Sequence, residues 1–146
     1  MTFPLRFALL IAACLFSSAA NWVHADEVHT PENGSAERKA ILDSLHREYT
    51  TGSGSAAKFV VHHFKVHGGW AWISVVPLDK NQKPEGDEWP SLLHLDNGKW
   101  AIIDLIAIAN AIDDPVGPAD PSAKFVRALQ KKYPGLPGDI IPKGSR

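Results

Sequence analysis

VHHFKVHGGWAWISVV, from Val61 to Val76, is the stretch of sequence that decides the fold. On either side of Gly68-Gly69 the side chains alternate in character, and this period of two residues is typical of a β-strand. The glycine pair supplies the positive φ angles that a two-residue hairpin turn requires. The stretch therefore predicts a β-hairpin in which His67 lies opposite Trp70.

The register of this hairpin assigns each histidine to a face of the sheet, because successive side chains of a strand point to opposite faces. With the two glycines as the turn, one face carries three polar residues and two tryptophans: His63, Lys65, His67, Trp70 and Trp72. The opposite face carries His62 at the edge of an apolar group: Val60, Phe64, Val66, Ala71, Ile73 and Val75. We expect this group to be buried.

A second hairpin is predicted in SLLHLDNGKWAIIDLIAIA, from Ser91 to Ala109. Asn97-Gly98 suits a type I′ turn, since both central residues need a φ above zero. The register then pairs apolar residues across the strands: Leu95 with Trp100, and Leu93 with Ile102. The last strand, residues 99–107, is apolar on both faces, which favours a central strand that is covered on both sides.

Two amphipathic helices are predicted to flank the hairpins. Ser35 can cap the first helix, and its apolar stripe repeats at helical spacing: Ile41, Leu42, Leu45 and Tyr49. Asp120 before Pro121 indicates the start of the second helix, because proline suits the first helical position. That helix has an apolar stripe of its own: Phe125, Val126, Leu129 and Tyr133.

The order of the elements is helix, four antiparallel strands, helix, which predicts an α+β domain. We expect the N-terminal amphipathic helix to pack on a curved four-stranded antiparallel meander, with a short C-terminal helix after it. This arrangement is similar to the cystatin-like and NTF2-like folds, in which a sheet wraps around a helix. Such folds carry many unrelated functions, so the similarity alone predicts none.

Three segments resemble small secreted bacterial proteins of uncharacterised activity: ERKAILDSLHREY, KFVVHHFKVHGGWAWISVVP and NGKWAIIDLIAI. Those proteins share a helix like ERKAILDALR, a strand ending in WAF and a hairpin of the form NGxWxVxD. The resemblance implies a secreted protein and carries no activity with it. The chain departs from the pattern where its last predicted strand continues as LIAIAN, and in the Asp- and Pro-rich connection that follows.

Residues 1–25 are predicted to be a secretory signal peptide. Arg6 is the only charged residue of this segment, and an apolar run extends from Phe7 to Phe16. That run is shorter than the roughly 20 residues of a membrane-spanning helix and fits the apolar core of a signal peptide. Small residues allow cleavage after Ala25 or after Ala20, and we prefer Ala25 because the charged sequence begins directly after it.

Cys14, the only cysteine of the chain, lies inside this segment. Its context, IAAC, resembles the lipobox of bacterial lipoproteins. A lipid anchor on Cys14 is therefore an alternative to free export, as is an uncleaved N-terminal anchor. Cleavage after Ala25 would leave a chain without a thiol, which excludes disulfides and thiolate-bound zinc.

The rest of the chain divides into a flexible leader, residues 26–34, and a single domain, residues 35–146. It carries all 16 Asp and Glu residues and all but one of the 15 Lys and Arg residues, so its net charge is near −2. This balance excludes the basic patch of a nucleic-acid-binding domain. A second apolar stretch of about 18 residues is lacking, so we expect no membrane span after signal removal. These features predict a periplasmic or secreted protein.

The histidines suggest a metal site as one alternative. His62 and His63 point to opposite faces and cannot hold one ion from a regular strand. His63 and His67 share a face but lie about 13 Å apart, at roughly 3.3 Å per residue, whereas zinc needs each ligand near 2 Å. A zinc or copper site would need His94 or an acidic residue brought close by the fold. The candidate ligands are His63, His67 and His94.

The tryptophans have two interpretations. In the first, Trp70, Trp72 and Trp100 cover the face of the sheet that packs on the helix, and Lys65 lies over Trp72 in a cation–π pair. In the second, Trp70 and Trp72 are exposed beside Lys65 and His67. These four residues would then form a binding surface for a partner.

The chain has no GxSxG, HExxH, P-loop or dinucleotide-binding glycine motif. Turns and helix caps explain Asp113, Asp114 and Asp120 better than calcium does, because prolines interrupt the ligand spacing. The sequence therefore predicts an exported binding or protein-interaction module without a cofactor, whose partner would be another envelope or extracellular protein. A periplasmic metal-binding protein is the alternative, and a small pocket enzyme of NTF2-like type is the third.

Overall fold

The computed structural model describes residues 27–53 and 58–145, so the predicted signal peptide, residues 1–25, with Cys14 lies outside the described residues. The elements are α1 (Ala36–Ser53), β1 (Lys58–His67), β2 (Trp70–Leu78), β3 (Trp89–Asp96), β4 (Lys99–Ile103), α2 (Leu105–Ala111), α3 (Ala123–Lys132) and a 3-10 helix (Gly138–Ile140). The strands form one antiparallel sheet in the order β1-β2-β3-β4. The predicted α+β class and four-stranded meander are confirmed, and α2 is an additional helix.

Both hairpins form in the predicted register. Across the first turn, Lys65 lies opposite Trp72 and His67 lies opposite Trp70. Across the second turn, the apolar pairs form as expected: Leu95 with Trp100, and Leu93 with Ile102. The two turn residues, Asn97 and Gly98, have φ angles of 49° and 76°, as a type I′ turn requires.

Replacing Gly98 by Val is expected to lower the free energy of unfolding by about 1 kcal/mol or more, because a β-branched residue resists a positive φ. A Cβ atom at this position would meet no atom within 4 Å, so the backbone conformation alone causes the cost. Gly98→Asn is the matched control, since Asn tolerates this region, and it should cost less. Urea unfolding of the three proteins checks this, and equal stabilities would contradict the turn assignment.

Strand β1 contains a β-bulge that the alternating pattern does not reveal. Val61 lies opposite Val75 and His63 lies opposite Ser74, so His62 is an extra residue on β1. Two residues of the bulged strand oppose one residue of its partner, and the side chains beyond the bulge change faces.

The bulge removes two residues from the predicted apolar group. Val60 is 41% exposed, and His62 lies at the surface with its Nδ1 3.2 Å from Glu88 Oε2. The predictions that Val60 is buried in this group and that His62 lies at its edge are therefore wrong. The other members are buried in one cluster, as predicted: Phe64, Val66, Ala71, Ile73 and Val75.

The last strand is shorter than predicted and lies at the edge of the sheet. β4 ends at Ile103, and the chain continues as α2. Asp104 Oδ1 accepts a hydrogen bond from Ala107 N at 2.9 Å and caps this helix. The inward side of α2 buries three apolar residues: Leu105, Ile108 and Ala109. The predicted central strand over residues 99–107 is wrong, because a short apolar run fits a strand or a buried helix equally well.

Helix α3 is capped by Ser122 and not, as predicted, by Asp120. Ser122 Oγ accepts a hydrogen bond from Phe125 N at 3.1 Å and donates one to the buried Asp114 at 2.7 Å. Asp120 instead accepts two hydrogen bonds from Ser145, at 2.6 and 2.8 Å. The connection between α2 and α3 therefore holds both the start of α3 and the C-terminal segment.

Each face of the sheet has its own buried cluster. One cluster contains residues of α1 and of the strands: Ile41, Leu45, Phe64, Val66, Ala71, Ile73, Val75, Leu93 and Trp100. The cluster on the C-terminal face joins the sheet, α2, α3 and the tail: Trp70, Trp72, Leu92, Leu105, Ile108, Ala109, Phe125, Leu129, Leu136, Ile140 and Ile141. Trp70 and Trp72 thus lie on the face opposite to Trp100, and the prediction that all three cover one face is wrong.

Part of the predicted leader lies along the outer edge of β1. His29 and Val66 exchange backbone hydrogen bonds of 2.9 and 2.8 Å, and Thr30 Oγ1 donates to Phe64 O at 3.0 Å. His29 Nε2 lies 2.8 Å from Glu37 Oε2. Burial lowers the pKa of His29, but the hydrogen bonds with Glu37 and with a leader carbonyl outweigh this effect and leave that pKa raised.

Candidate functional site

A groove of about 730 Å³ lies at the open end of β3. β4 pairs only with residues 92–96 of β3, because Asp104 then turns the chain into α2. Among the described strands, none lies beside Trp89, Pro90 and Ser91 on this side. The groove occupies that space, and its volume is within the range of about 300–1,000 Å³ that ligand sites have.

Three parts of the chain form the walls of the groove. Helix α1 contributes polar and charged side chains: Ser44, Arg47 and Glu48. The sheet contributes two tryptophans and their neighbours: Trp89, Ser91, Trp100 and Ile102. The start of α2 and the connection to α3 are mostly apolar: Leu105, Ile106, Pro115, Pro118 and Ala119. A polar wall and an apolar wall therefore meet in one groove.

One hydrogen bond links the polar wall to the sheet, and a second lies within the wall. Ser44 Oγ donates to the backbone oxygen of Trp100 at 3.0 Å and accepts from Arg47 Nη2 at 2.8 Å. Ser91 Oγ and Trp100 Nε1 are buried without a hydrogen-bond partner among the described residues. A buried polar group without a partner costs about 1–3 kcal/mol. The sheet side of the groove thus contains two buried polar groups whose hydrogen-bonding capacity the described part of the chain does not use.

Pro90 decides how a partner can approach β3. Leu95 N donates to Gly69 O, toward β2, and alternate residues of a strand direct their backbone groups to opposite sides. The backbone of Pro90 therefore points toward the groove. Proline has no N–H, so this edge cannot pair fully with an added strand. A partner in the groove has to be bound mainly through side chains.

The groove includes an exposed large apolar side chain. Ile106, which lines the groove at the start of α2, is 59% exposed. Val116 follows the lining residue Pro115 in the chain and is 50% exposed. They are two of the four large hydrophobic residues that are exposed in the described part of the chain. Exposed apolar surface next to a concavity marks an interaction site more often than scattered single residues do.

Both tryptophans of the first hairpin are buried. Trp72 is 0% exposed and Trp70 is 7% exposed, and the Trp70 ring packs against His94 in a tilted arrangement with centroids 4.2 Å apart. The interpretation of Trp70 and Trp72 as an exposed patch is therefore wrong. The expected cation–π pair is not formed either, because Lys65 Nζ reaches Thr30 Oγ1 at 3.1 Å.

The C-terminal tail covers the histidine face that we expected to be a binding surface. His63 Nε2 donates to Ile140 O at 2.8 Å. His67 Nδ1 lies 2.9 Å from both carboxylate oxygens of Asp139. These histidines contact the chain's own tail, and a direct role of Lys65 and His67 in binding a partner stays a prediction.

The three candidate metal ligands lie in separate environments. His63 and His67 contact the tail, and the His94 ring packs against Trp70. Within residues 27–53 and 58–145, no group of three His, Cys, Asp or Glu side chains is placed to hold a metal ion. Metal binding by His63, His67 and His94 stays a prediction.

Three histidine–carboxylate pairs bear on the enzyme alternative. Their closest distances are 2.8 Å for His29–Glu37, 3.2 Å for His62–Glu88 and 2.9 Å for His67–Asp139. A polar pocket that contains such a pair would support acid–base catalysis. The described residues that line the groove include no histidine.

The groove residues Arg47, Trp89 and Ile106 were not predicted from the sequence. Local signals point toward the last two of them. A proline at the start of a strand marks an unpaired edge, as Pro90 does after Trp89. An acidic residue before apolar residues at helical spacing marks a helix start, as Asp104 does.

Comparison of the chain with protein-family models, curated proteins and solved structures found no match. In the part of the chain that the structure describes, no helix is long and apolar enough to cross a membrane.

Proposed function

We propose that the protein is an exported, periplasmic interaction module that binds an apolar segment of another envelope or extracellular protein. The groove at the open end of β3, with its exposed apolar Ile106, is the observation that carries this proposal. Export is inferred from the pattern of residues 1–25 and from the resemblance to secreted bacterial proteins. The proposal also requires that the N-terminal helix packs on the sheet, because this helix carries the polar wall of the groove.

The exposure of Ile106 favours a protein segment over a small molecule as the occupant. A small ligand would be contained within the groove, whereas Ile106 lines the groove and is still 59% exposed, which leaves apolar surface open to a larger partner. Binding surfaces for proteins combine such apolar contacts with an aromatic anchor, which the half-buried Trp89 offers. Because Pro90 prevents full strand pairing, the segment is a loop or a helix end that inserts side chains.

The charges of the polar wall add selectivity. Arg47 and Glu48 place both signs of charge beside the apolar surface. A partner with a charged residue next to its apolar side chains would meet a group of opposite sign here, which favours it over a uniformly apolar peptide.

Position-specific photo-crosslinking tests the proposal. A photoreactive amino acid at Ile106 or Val116 should produce one discrete adduct with an envelope protein in intact cells. The same group at Val60 should not, since Val60 is also exposed but lies on β1, outside the groove. A second change, Ala119→Glu, should weaken the Ile106 adduct by about tenfold, because it places a charge in the apolar wall.

Two outcomes would contradict the proposal. Equal adducts from Ile106 and Val60 would show that the groove is not selective. An Ile106 adduct that Ala119→Glu leaves unchanged would place the contact outside the groove. A thermal melt of the Ala119→Glu protein serves as the control for folding, and Ala119 is already exposed in the folded chain.

The two alternatives, a metal-binding protein and an NTF2-like pocket enzyme, have less support from the described residues. The candidate ligands lie in separate environments, and the histidine–carboxylate pairs lie outside the groove. Zinc or copper binding that raises the melting temperature, and is lost when His63 and His67 are both replaced, would favour the first alternative over our proposal.

A further inference from the structure

His29 attaches the leader to two elements at once. Its backbone exchanges hydrogen bonds of 2.9 and 2.8 Å with Val66 on the outer edge of β1. Its ring reaches helix α1, where Nε2 lies 2.8 Å from Glu37 Oε2. The two side chains are 32% and 24% exposed, so solvent screens this contact only in part.

The leader residues after His29 are held by hydrogen bonds to neutral oxygens. Thr30 Oγ1 donates to Phe64 O at 3.0 Å, and Arg38 Nη1 donates to Pro31 O at 3.2 Å. A cleft of about 590 Å³ is lined by this part of the leader and by residues 61–65 of β1. The contact between His29 and Glu37 differs from these bonds, because its strength depends on the charge of the histidine ring.

Both ring nitrogens of His29 lie beside acceptor oxygens. Nε2 is near the Glu37 carboxylate, and Nδ1 lies 3.2 Å from the backbone oxygen of Glu27. A neutral imidazole has only one N–H, so either tautomer leaves a nitrogen lone pair directed at an oxygen. The protonated ring donates from both nitrogens and satisfies both contacts. The bond to Glu27 lies within the leader, so docking on α1 adds the contact with Glu37.

We propose that the leader is a proton-dependent strap on the edge of β1, docked most firmly when the His29 ring is charged and loosened when the ring is neutral. Loosening frees the backbone N–H and C=O of Val66, which then form part of an unpaired strand edge. It also withdraws one side of the cleft beside residues 61–65. Neither His29 nor Glu37 lines the groove at β3, so this strap is independent of the proposed function.

The charged groups around His29 set the direction of the pH dependence. Burial lowers the pKa of His29, and Lys65 on β1 acts in the same direction. The hydrogen bonds with Glu37 and the Glu27 carbonyl, together with the charge of Glu37 on α1, outweigh these effects and raise that pKa. A group whose pKa is raised by docking stabilises the docked state in its protonated form. The stabilisation is therefore complete at low pH and is lost as the pH rises through the raised pKa.

Solvent exchange of the Val66 backbone amide, measured by NMR on the protein as the cell produces it, tests the strap. This amide donates to His29 O, so it exchanges when the leader lifts from the edge. Its protection, relative to an unstructured peptide at the same pH, should fall about two- to fivefold between about pH 5.5 and about pH 8.5. The amide of Leu93, on the inner strand β3, is the reference and should show no such fall.

Two variants separate His29 from the other titrating groups. His29→Gln should abolish the fall in Val66 protection, because glutamine does not titrate in this range. His62→Gln is the matched control, since it removes the other histidine–glutamate pair of β1, and it should keep the full pH dependence. A flat Val66 profile in the unmodified protein, or an unchanged fall in folded His29→Gln, overturns the proposal. The ring signals of His29 in the unmodified protein are a readout that needs no variant, and a titration at or below the ordinary pKa of histidine also overturns it.

Discussion

Replacing Trp72 by Ala is expected to lower the free energy of unfolding by about 3–5 kcal/mol. Trp72 is 0% exposed and is the largest of the fully buried side chains in the described chain. It lies in the cluster on the C-terminal face, where β2 packs against α2, α3 and the tail. Removing the indole leaves a cavity that this closely packed layer fills only in part. Urea unfolding followed by circular dichroism measures the loss.

Trp72→Phe is the matched control. Trp72 Nε1 is buried without a hydrogen-bond partner among the described residues, and removing an unpartnered N–H relieves a cost of about 1–3 kcal/mol. The Phe variant keeps most of the apolar ring, so its loss should stay below about 1.5 kcal/mol. If the Ala variant changed stability by only about 0.5 kcal/mol, as an exposed position does, the burial of Trp72 and the arrangement of this face would be refuted.

Replacing Gly117 by Ala is expected to cost about 1–3 kcal/mol, the range of an overpacked core. A Cβ atom at this position would lie 2.6 Å from Cδ2 of Phe125 and 3.1 Å from the backbone oxygen of Asp114. Phe125 is 0% exposed, so its ring has little room to move. Either the connection between α2 and α3 or the Phe125 ring has to shift. Thermal and urea unfolding of the purified variant give the size of the effect.

Gly135→Ala is the matched control for this substitution. A Cβ atom on Gly135 would meet only Trp70 Nε1, at 4.0 Å, which is an ordinary van der Waals contact. Its stability should therefore stay within about 0.5 kcal/mol of the unmodified protein. Equal losses at Gly117 and Gly135 would mean that the close approach of the connection to Phe125 is not present in solution.

The candidate site could be predicted from the sequence only in part. Of the four residues expected to bind a partner, Trp70 and Trp72 are buried, and His67 contacts Asp139 of the tail. Lys65 lines the cleft at the edge of β1. The sequence pattern correctly placed these residues on one face. It could not show that the tail covers this face, because contacts between residues as distant as His67 and Asp139 leave no local periodicity.

The groove depends on where β4 stops. The run from Lys99 to Ala109 is apolar enough to be a long strand, and a longer β4 would have covered Trp89, Pro90 and Ser91. The cap at Asp104 ends the strand and opens the space beside β3. A short apolar run has nearly equal preference for a buried strand and a buried helix, so packing on the C-terminal face decides between them.

The sequence by itself determined the two hairpins, their register and the α+β order of the elements. These features follow from short-range rules: Asn97-Gly98 and Gly68-Gly69 accept the positive φ of tight turns, and alternation then fixes which residues face each other. Only the tertiary structure decided the bulge at His62, the end of β4 and the face on which each tryptophan is buried. The physical reason is that both faces of this sheet are covered, so apolar residues occur on both sides of the strands. A sequence shows which residues of a strand are buried when one face of the strand is polar and the other is apolar. The strands of this sheet lack that contrast, so the sequence does not show on which face each apolar residue is buried.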